Sequence, residues 1–207
     1  MQIFFIILWQ EILLSSQNLG RILANFLFFL ISVSLFFLLA QNQENKDFAG
    51  FYSITIILFS LLSCLIFSAA EFLKKDFEDG TIEQLLISCV NFEIFTLAKI
   101  LTNWLIFALP ILILLPLVSL MVKMDFVLVK NFLILATLAS LSINFISAFC
   151  GSLSIFENSS ALIGIIALPL AAPILLVTYS GIVGHDYENF ATNCKILGGF
   201  AIFTGSI

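Results

Sequence analysis

Long apolar runs separated by short polar stretches dominate the pattern along this chain. The uncharged runs cover residues 22–40, 48–70, 100–122, 131–156 and 158–184. Each is at least as long as the roughly 18 apolar residues that a helix needs to cross a bilayer. A sixth run, 196–207, has only 12 residues, so we expect either that it forms a partial span or that the chain ends early. The pattern therefore predicts an all-α integral membrane protein with about six transmembrane helices in a single domain, 1–207.

The first twenty residues require a separate interpretation. The apolar stretch Ile3 to Leu8 is interrupted by Gln10 and Glu11, with no basic residue before it and no small-residue cleavage site after it. A signal peptide is therefore not predicted. Trp9 beside these polar residues favours a helix over 1–20 that lies in the headgroup layer. An additional crossing helix is the alternative.

Composition agrees with the apolar pattern and narrows the function. Of 207 residues, 61% are hydrophobic and only 10% are charged. Such a chain cannot cover a soluble globule with polar surface. Its net charge of −5 also argues against nucleic acid as a partner.

The charges concentrate in one segment, 71–99, between the second and third predicted spans. Asp79-Gly80 is a turn signal, and Thr81 with Gln84 forms the pattern of a capping box, which predicts a helix beginning at Ile82. Ile82, Leu85, Leu86 and Cys89 then share one face of that helix. We expect a helix-turn-helix just outside the bilayer that could dock on a soluble partner; an ordinary solvated loop is the alternative. The candidate partner-binding residues are Lys74, Lys75, Asp76, Glu78, Asp79, Gly80, Thr81, Glu83 and Gln84.

Basic residues do not decide the orientation by number. Four of them, Arg21, Lys74, Lys75 and Lys99, would lie on the side of the charged segment, and four on the other: Lys46, Lys123, Lys130 and Lys195. Because Lys74 and Lys75 follow a span directly, we expect 71–99 to be cytoplasmic.

Motifs for ATP hydrolysis or for other catalysis are missing from the sequence. It has no GxxxxGK[ST] loop, no HExxH and no GxSxG, so we predict neither ATP hydrolysis nor another enzymatic activity. The five long runs contain no Asp, Glu, Lys, Arg or His that could hold a driving ion, which disfavours secondary transport. The chain is therefore expected to take energy from a partner through 71–99. A non-transporting scaffold and a carrier or channel that works alone are the alternatives.

Other candidate residues lie in and between the spans. Pro110, Pro116, Pro169 and Pro173 each remove a backbone donor and are candidate helix kinks for a protein that changes shape. Simple tolerance of proline by membrane helices is the alternative. The chain has a single histidine, His185, and no metal site is expected. Trp104 and Tyr187 are predicted interfacial anchors, and the four cysteines are predicted packing residues.

Several stretches together resemble a known family. The segment "FEDGTIEQLL", then "LAK" at 97–99, "LPILILLPLVSLM" at 109–121 and "LPLAAPILL" at 168–176 look like haem exporter protein B, also called cytochrome c maturation protein B. The similarity runs in order from about residue 20 to the end. It implies an ABC-2-type permease fold in the bacterial inner membrane, or in mitochondria.

The family resemblance also implies partners and a role for the charged segment. The implied partners are a separate ATP-binding subunit, other cytochrome c maturation membrane subunits and a haem chaperone. ATP turnover would drive release of the haem-loaded chaperone, and haem would be handled or transported rather than tightly bound. His185 would then be a weak candidate for a haem ligand. The region from Lys74 to Leu86 would sit in a cleft of the ATPase. The chain departs from the family at Ser88-Cys89-Val90-Asn91, where relatives place prolines, and in its short C-terminal span.

Overall fold

The computed structural model describes residues 2–16, 19–40, 46–69, 74–87, 92–121, 126–157, 161–183 and 187–206. Every secondary-structure element in these ranges is an α-helix, as the apolar pattern predicts. In chain order the helices are α1 (Gln2–Ser16), α2 (Leu19–Ala40), α3 (Lys46–Ala69), α4 (Lys74–Glu78), α5 (Thr81–Ile87), α6 (Phe92–Met121), α7 (Phe126–Glu157), α8 (Ala161–Val183) and α9 (Tyr187–Gly205).

Three helices in the described ranges are long and apolar enough to cross a membrane. Their apolar stretches are Phe92–Ser119, Phe126–Leu153 and Ile163–Val183, which correspond to the third, fourth and fifth predicted spans. α2 and α3 contain shorter apolar stretches, Ile22–Phe36 and Ile54–Ser68. The protein is therefore a helical, multi-pass membrane protein, and spanning by α2, α3 and α9 stays a prediction.

Two helices extend beyond the predicted spans. α6 begins at Phe92 and not near residue 100, so it continues through Lys99 into the charged segment. α9 begins at Tyr187, and the apolar run 196–207 is only its C-terminal part. In both cases a helix tolerates charged or polar residues in its outer turns, where the side chains find partners or solvent.

α7 lies at the centre of the bundle together with α3. α7 contacts α3, α6, α8 and α9, while α3 also packs against α2, α6 and α8. One side of α7 is rich in small buried residues, which let neighbouring helices approach closely. These are Ala136, Ala139, Ser140, Ser147, Ala148 and Gly151.

Large apolar side chains fill the space between these helices. The fully buried ones come from α2, α3, α6, α7 and α8, and include Phe29, Leu61, Leu65, Leu115, Phe132, Leu135 and Ile174. Gly181 of α8 permits a close approach, because a Cβ there would lie 2.8 Å from Leu135 Cδ1 and 3.1 Å from Asn193 Cβ. α8 can therefore pack against both α7 and α9.

α1 packs along α6, the helix that begins after the charged segment. Trp9 is exposed, while Glu11 is largely buried against α6. The predicted placement of α1 in the headgroup layer stays a prediction. Its contact with α6 brings the N-terminal helix close to the charged segment.

Candidate functional site

The charged segment contains two short helices joined by a tight turn, at the position that the sequence predicts. α4 ends at Glu78, and Gly80 adopts a φ of +71°, which favours glycine. The Gly80 N–H donates to the Phe77 carbonyl at 3.3 Å and closes the turn. Asp79-Gly80 thus reverses the chain between α4 and α5.

The predicted capping box is wrong in its details. The Gln84 N–H donates to the Gly80 carbonyl at 3.2 Å, which is the first hydrogen bond of α5. Gly80 is therefore the N-cap, and Thr81, not Ile82, is the first helical residue. The positive φ of Gly80 is typical of a glycine that follows a helix end, so the same residue also terminates α4.

Most of the described side chains in α4, the turn and α5 are exposed. Phe77 is 57% exposed and Ile87 is 85% exposed, although both are large and apolar. Between them lie exposed polar side chains, three of which are carboxylates. We call this set the acidic face: Phe77, Glu78, Asp79, Glu83, Gln84 and Ile87. The side chains of Lys74 and Lys75, and residue Cys89, lie outside the described residues.

Asp76 does not share this exposure, because it forms an ion pair inside the protein. Its Oδ2 contacts Lys99 Nζ of α6, and Glu11 Oε2 of α1 lies 4.0 Å from the same ammonium. The side chains of Lys99, Glu11 and Asp76 are only 13%, 14% and 15% exposed. The Lys99 ammonium also lies 5.5 Å from the centre of the Phe95 ring. We call Glu11, Asp76 and Lys99 the charge triad.

A hydrogen-bonded network lies one helical turn beyond Lys99. Asn103 donates to Ser68 Oγ at 3.0 Å and to Asn144 Oδ1 at 2.8 Å. Asn144, which is fully buried, donates to the Ile100 carbonyl at 2.9 Å. These bonds join α3, α6 and α7. We call Ser68, Asn103 and Asn144 the asparagine network.

Trp104, which is a predicted interfacial anchor, contacts a neighbouring helix in the structure. Its Nε1 donates to Ser140 Oγ at 3.0 Å, and its ring packs against the core. It therefore links α6 to α7. The side chain of Tyr187, the other predicted anchor, lies outside the described residues.

The four prolines lie within continuous helices. α6 runs through Pro110 and Pro116, and α8 runs through Pro169 and Pro173. Pro169 and Pro173 are exposed, whereas Pro110 is half-buried. Pro110 lies beside a small gap between α2 and α6, which is lined by Ile22, Asn25, Phe26, Ile106, Phe107, Pro110 and Ile111. The role of all four as kinks stays a prediction.

The remaining candidates are His185 and the cysteines. His185 lies outside the described residues. Cys64 and Cys150 are fully buried, as expected for packing residues, and Cys194 is half-buried. Among the described side chains, no group of three His, Cys, Asp or Glu residues could hold a metal ion.

Two members of the charge triad were not among the predicted site residues. In the sequence, Lys99 stands out only as a basic residue of segment 71–99 and as part of the "LAK" stretch, and Glu11 only as an interruption of an apolar run. Glu11 and Lys99 are isolated charges in the sequence, and an isolated charge forms no recognisable motif. The available signal is that each charge stands in or next to a strongly apolar stretch, where a charge needs a partner.

Fold and site together define a helical membrane protein that has an acidic, solvent-exposed helix-turn-helix connected to its bundle through buried charges. The family described as CcmB protein matches residues 2–207. The chain is 25% identical to Heme exporter protein B of Haemophilus influenzae over 179 residues, 86% of this chain and 80% of that protein. It is 28% identical to Heme exporter protein B of Pseudomonas aeruginosa over 156 residues, 75% of this chain and 70% of that protein. The chain belongs to the CcmB family.

Proposed function

We propose that this protein is the permease subunit of an ABC-type assembly that serves haem export and cytochrome c maturation. The observation that carries the proposal is the family match over residues 2–207. The names of the two relatives point to haem as the molecule that the assembly handles. Haem is then a cargo, or is bound by a partner chaperone, and is not a resident cofactor of this chain.

The energy source in this proposal is a separate ATP-binding subunit. The sequence lacks a phosphate-binding loop of the GxxxxGK[ST] kind, so this chain would rely on a partner for ATP hydrolysis. The segment 74–87 is the site at which that partner would act. In this arrangement the segment is cytoplasmic, the protein lies in a bacterial inner membrane, and α2, α3 and α9 complete about six spans.

The acidic face has the composition of a docking surface. Phe77 and Ile87 are large apolar side chains that remain exposed, and an exposed aromatic residue is a common anchor at protein interfaces. Glu78, Asp79 and Glu83 place three carboxylates around them. The complementary partner surface would be an apolar cleft bordered by basic residues. Asp76 is excluded from this surface because its carboxylate contacts Lys99.

The test is reversal of the three exposed charges, Glu78→Lys, Asp79→Lys and Glu83→Lys, in one variant expressed with its ATP-binding subunit. We expect the variant to reach the membrane but to lose the ATPase on affinity purification. Like charges across the interface would then repel. The matched control is Lys195→Glu, which reverses an exposed charge on α9 and should keep the ATPase. If the triple variant still held the ATPase in wild-type amount, the acidic face would not be the docking site.

A further inference from the structure

The charge triad connects three elements that are otherwise separated along the chain. Lys99 belongs to α6, Glu11 to α1 and Asp76 to α4. All three side chains are at least about four-fifths buried, so their interaction is not a solvent-screened surface pair. Removal of one partner from such a group leaves an uncompensated charge behind. The position of α4 is therefore coupled energetically to α6 and α1.

The two carboxylates are not equivalent in their distance from Lys99. Asp76 is in direct contact with the ammonium, whereas Glu11 lies at 4.0 Å, at the edge of ion-pair range. Among the described side chains of this group, one positive charge thus faces two negative charges. If α4 moved away, Glu11 would remain as a partner for the ammonium. The arrangement permits two states that differ in which carboxylate is closest to Lys99.

Lys99 is also connected to the centre of the bundle. Asn103 follows it by four residues, so the two side chains lie on the same side of α6. Asn103 bonds to Ser68 of α3 and to Asn144 of α7. α3 and α7 pack against each other, and both also pack against α6 and α8. A rotation or shift of α6 at Lys99 would therefore change bonds to both central helices.

We propose that Lys99 is the positioning residue that transmits movement of α4 to the transmembrane bundle. When a partner pulls α4, Asp76 separates from Lys99, Glu11 takes up the ammonium, and α6 shifts against α3 and α7 at the asparagine network. This inference rests on the proposed function, because it requires a partner that moves the segment 74–87. It assigns to Lys99 a role in transmission and not in docking.

The experiment measures two quantities separately in the complete assembly, namely binding of the ATP-binding subunit and maturation of a c-type cytochrome. Lys99→Met is compared with Lys99→Arg and with Lys195→Met, a matched loss of an exposed lysine on α9. The readouts are co-purification of the ATP-binding subunit and the amount of covalent haem in a c-type cytochrome. We expect Lys99→Met to keep the ATPase and to lower mature cytochrome by about 2- to 30-fold, the usual range for a coupling residue. Lys99→Arg and Lys195→Met should remain near wild type.

A charge exchange tests the pair itself if Lys99→Met fails to accumulate. Lys99→Asp with Asp76→Lys restores opposite charges, and we expect it to recover cytochrome maturation relative to either single variant. Wild-type maturation in Lys99→Met, loss of ATPase binding in that variant, or no recovery in the exchange would each overturn the inference. By contrast, retention of the ATPase by the acidic-face variant would overturn the docking proposal whatever the Lys99 variants do.

Discussion

Asn144 shows how single polar side chains hold this bundle together. It is fully buried in α7, accepts a hydrogen bond from Asn103 and donates one to the Ile100 carbonyl. In a membrane, burial of apolar surface does not favour one helix neighbour over lipid, so interhelical hydrogen bonds and close packing determine which helices associate. Asn144 therefore stabilises the packing of α6 against α7.

We predict that Asn144→Ala destabilises the protein by about 0.6–1.7 kcal/mol, the measured range for interhelical hydrogen bonds in membrane proteins. The variant removes the acceptor of Asn103 and the donor to Ile100 together. Unfolding in detergent, followed by helical circular dichroism against denaturant, would measure the change. Asn189→Ala is the control, because Asn189 is exposed on α9 and should change stability by less than about 0.5 kcal/mol. Equal effects of the two substitutions would contradict this role.

At the scale of elements, the turn between α4 and α5 sets the shape of the acidic face. Gly80 combines a positive φ with open space, since an added Cβ would meet no atom within 4 Å. The requirement for glycine is therefore conformational and not steric. The turn fixes the angle between Phe77 on one side and Glu83 on the other.

We predict that Gly80→Val weakens binding of the ATP-binding subunit by about 5- to 30-fold. A non-glycine residue in this conformation costs roughly 1–2 kcal/mol, which the variant would recover by opening the turn. Gly80→Asn should bind better than Gly80→Val, because asparagine tolerates this conformation. Titration of the ATPase onto the protein in nanodiscs would give both dissociation constants.

Gly199→Ala is the matched control for the glycine substitutions. Gly199 also has open space around it, but it lies inside α9 with no positive φ. Binding of the ATPase should be unchanged. If Gly80→Val bound as tightly as wild type, the conformation of the turn would not matter for docking.

Elements differ in how well the sequence alone predicts them. The turn at Asp79-Gly80 was predictable because glycine has a specific local reason to be there. The start of α6 at Phe92 was not predictable, because the charge of Lys99 favours a solvated segment that ends at that lysine. Its charge is compensated inside the protein by Glu11 and Asp76, which are distant in sequence and adjacent only in the fold. For the same reason the charge triad could not be found from spacing. The polar residues of the acidic face could be found from composition, whereas the exposure of Phe77 and Ile87 is known only from the structure.

At the scale of the whole molecule, the question is whether the bundle changes shape or only holds partners in place. A scaffold needs α3 and α7 to be stable, and a permease also needs the surrounding helices to move against them. α6 is the helix that connects the charge triad, the asparagine network and Pro110. Pro110 has no N–H for the carbonyl of Ile106, so the helix lacks a backbone bond there. Pro110 is, with Pro116, one of two positions in α6 where the missing backbone bond lowers the cost of bending.

We predict that Pro110→Ala lowers cytochrome maturation by about 2- to 30-fold while the ATP-binding subunit stays bound. Alanine supplies the missing donor to Ile106 and stiffens α6, so the helix could no longer bend when its end near Lys99 shifts. The amount of covalent haem in a c-type cytochrome measures the output, and co-purification measures docking. Thermal stability of the variant should equal or exceed that of wild type, because a helical hydrogen bond is gained.

Leu117→Ala provides the comparison on the same helix. Leu117 is an exposed residue of α6, so its truncation removes little packing and leaves the backbone bonds intact. Maturation in this variant should remain at the wild-type level. If Pro110→Ala also matured cytochrome normally, bending of α6 would not be required. The scaffold would then explain the molecule better than the permease, because recruitment of partners through the acidic face needs no movement within the bundle.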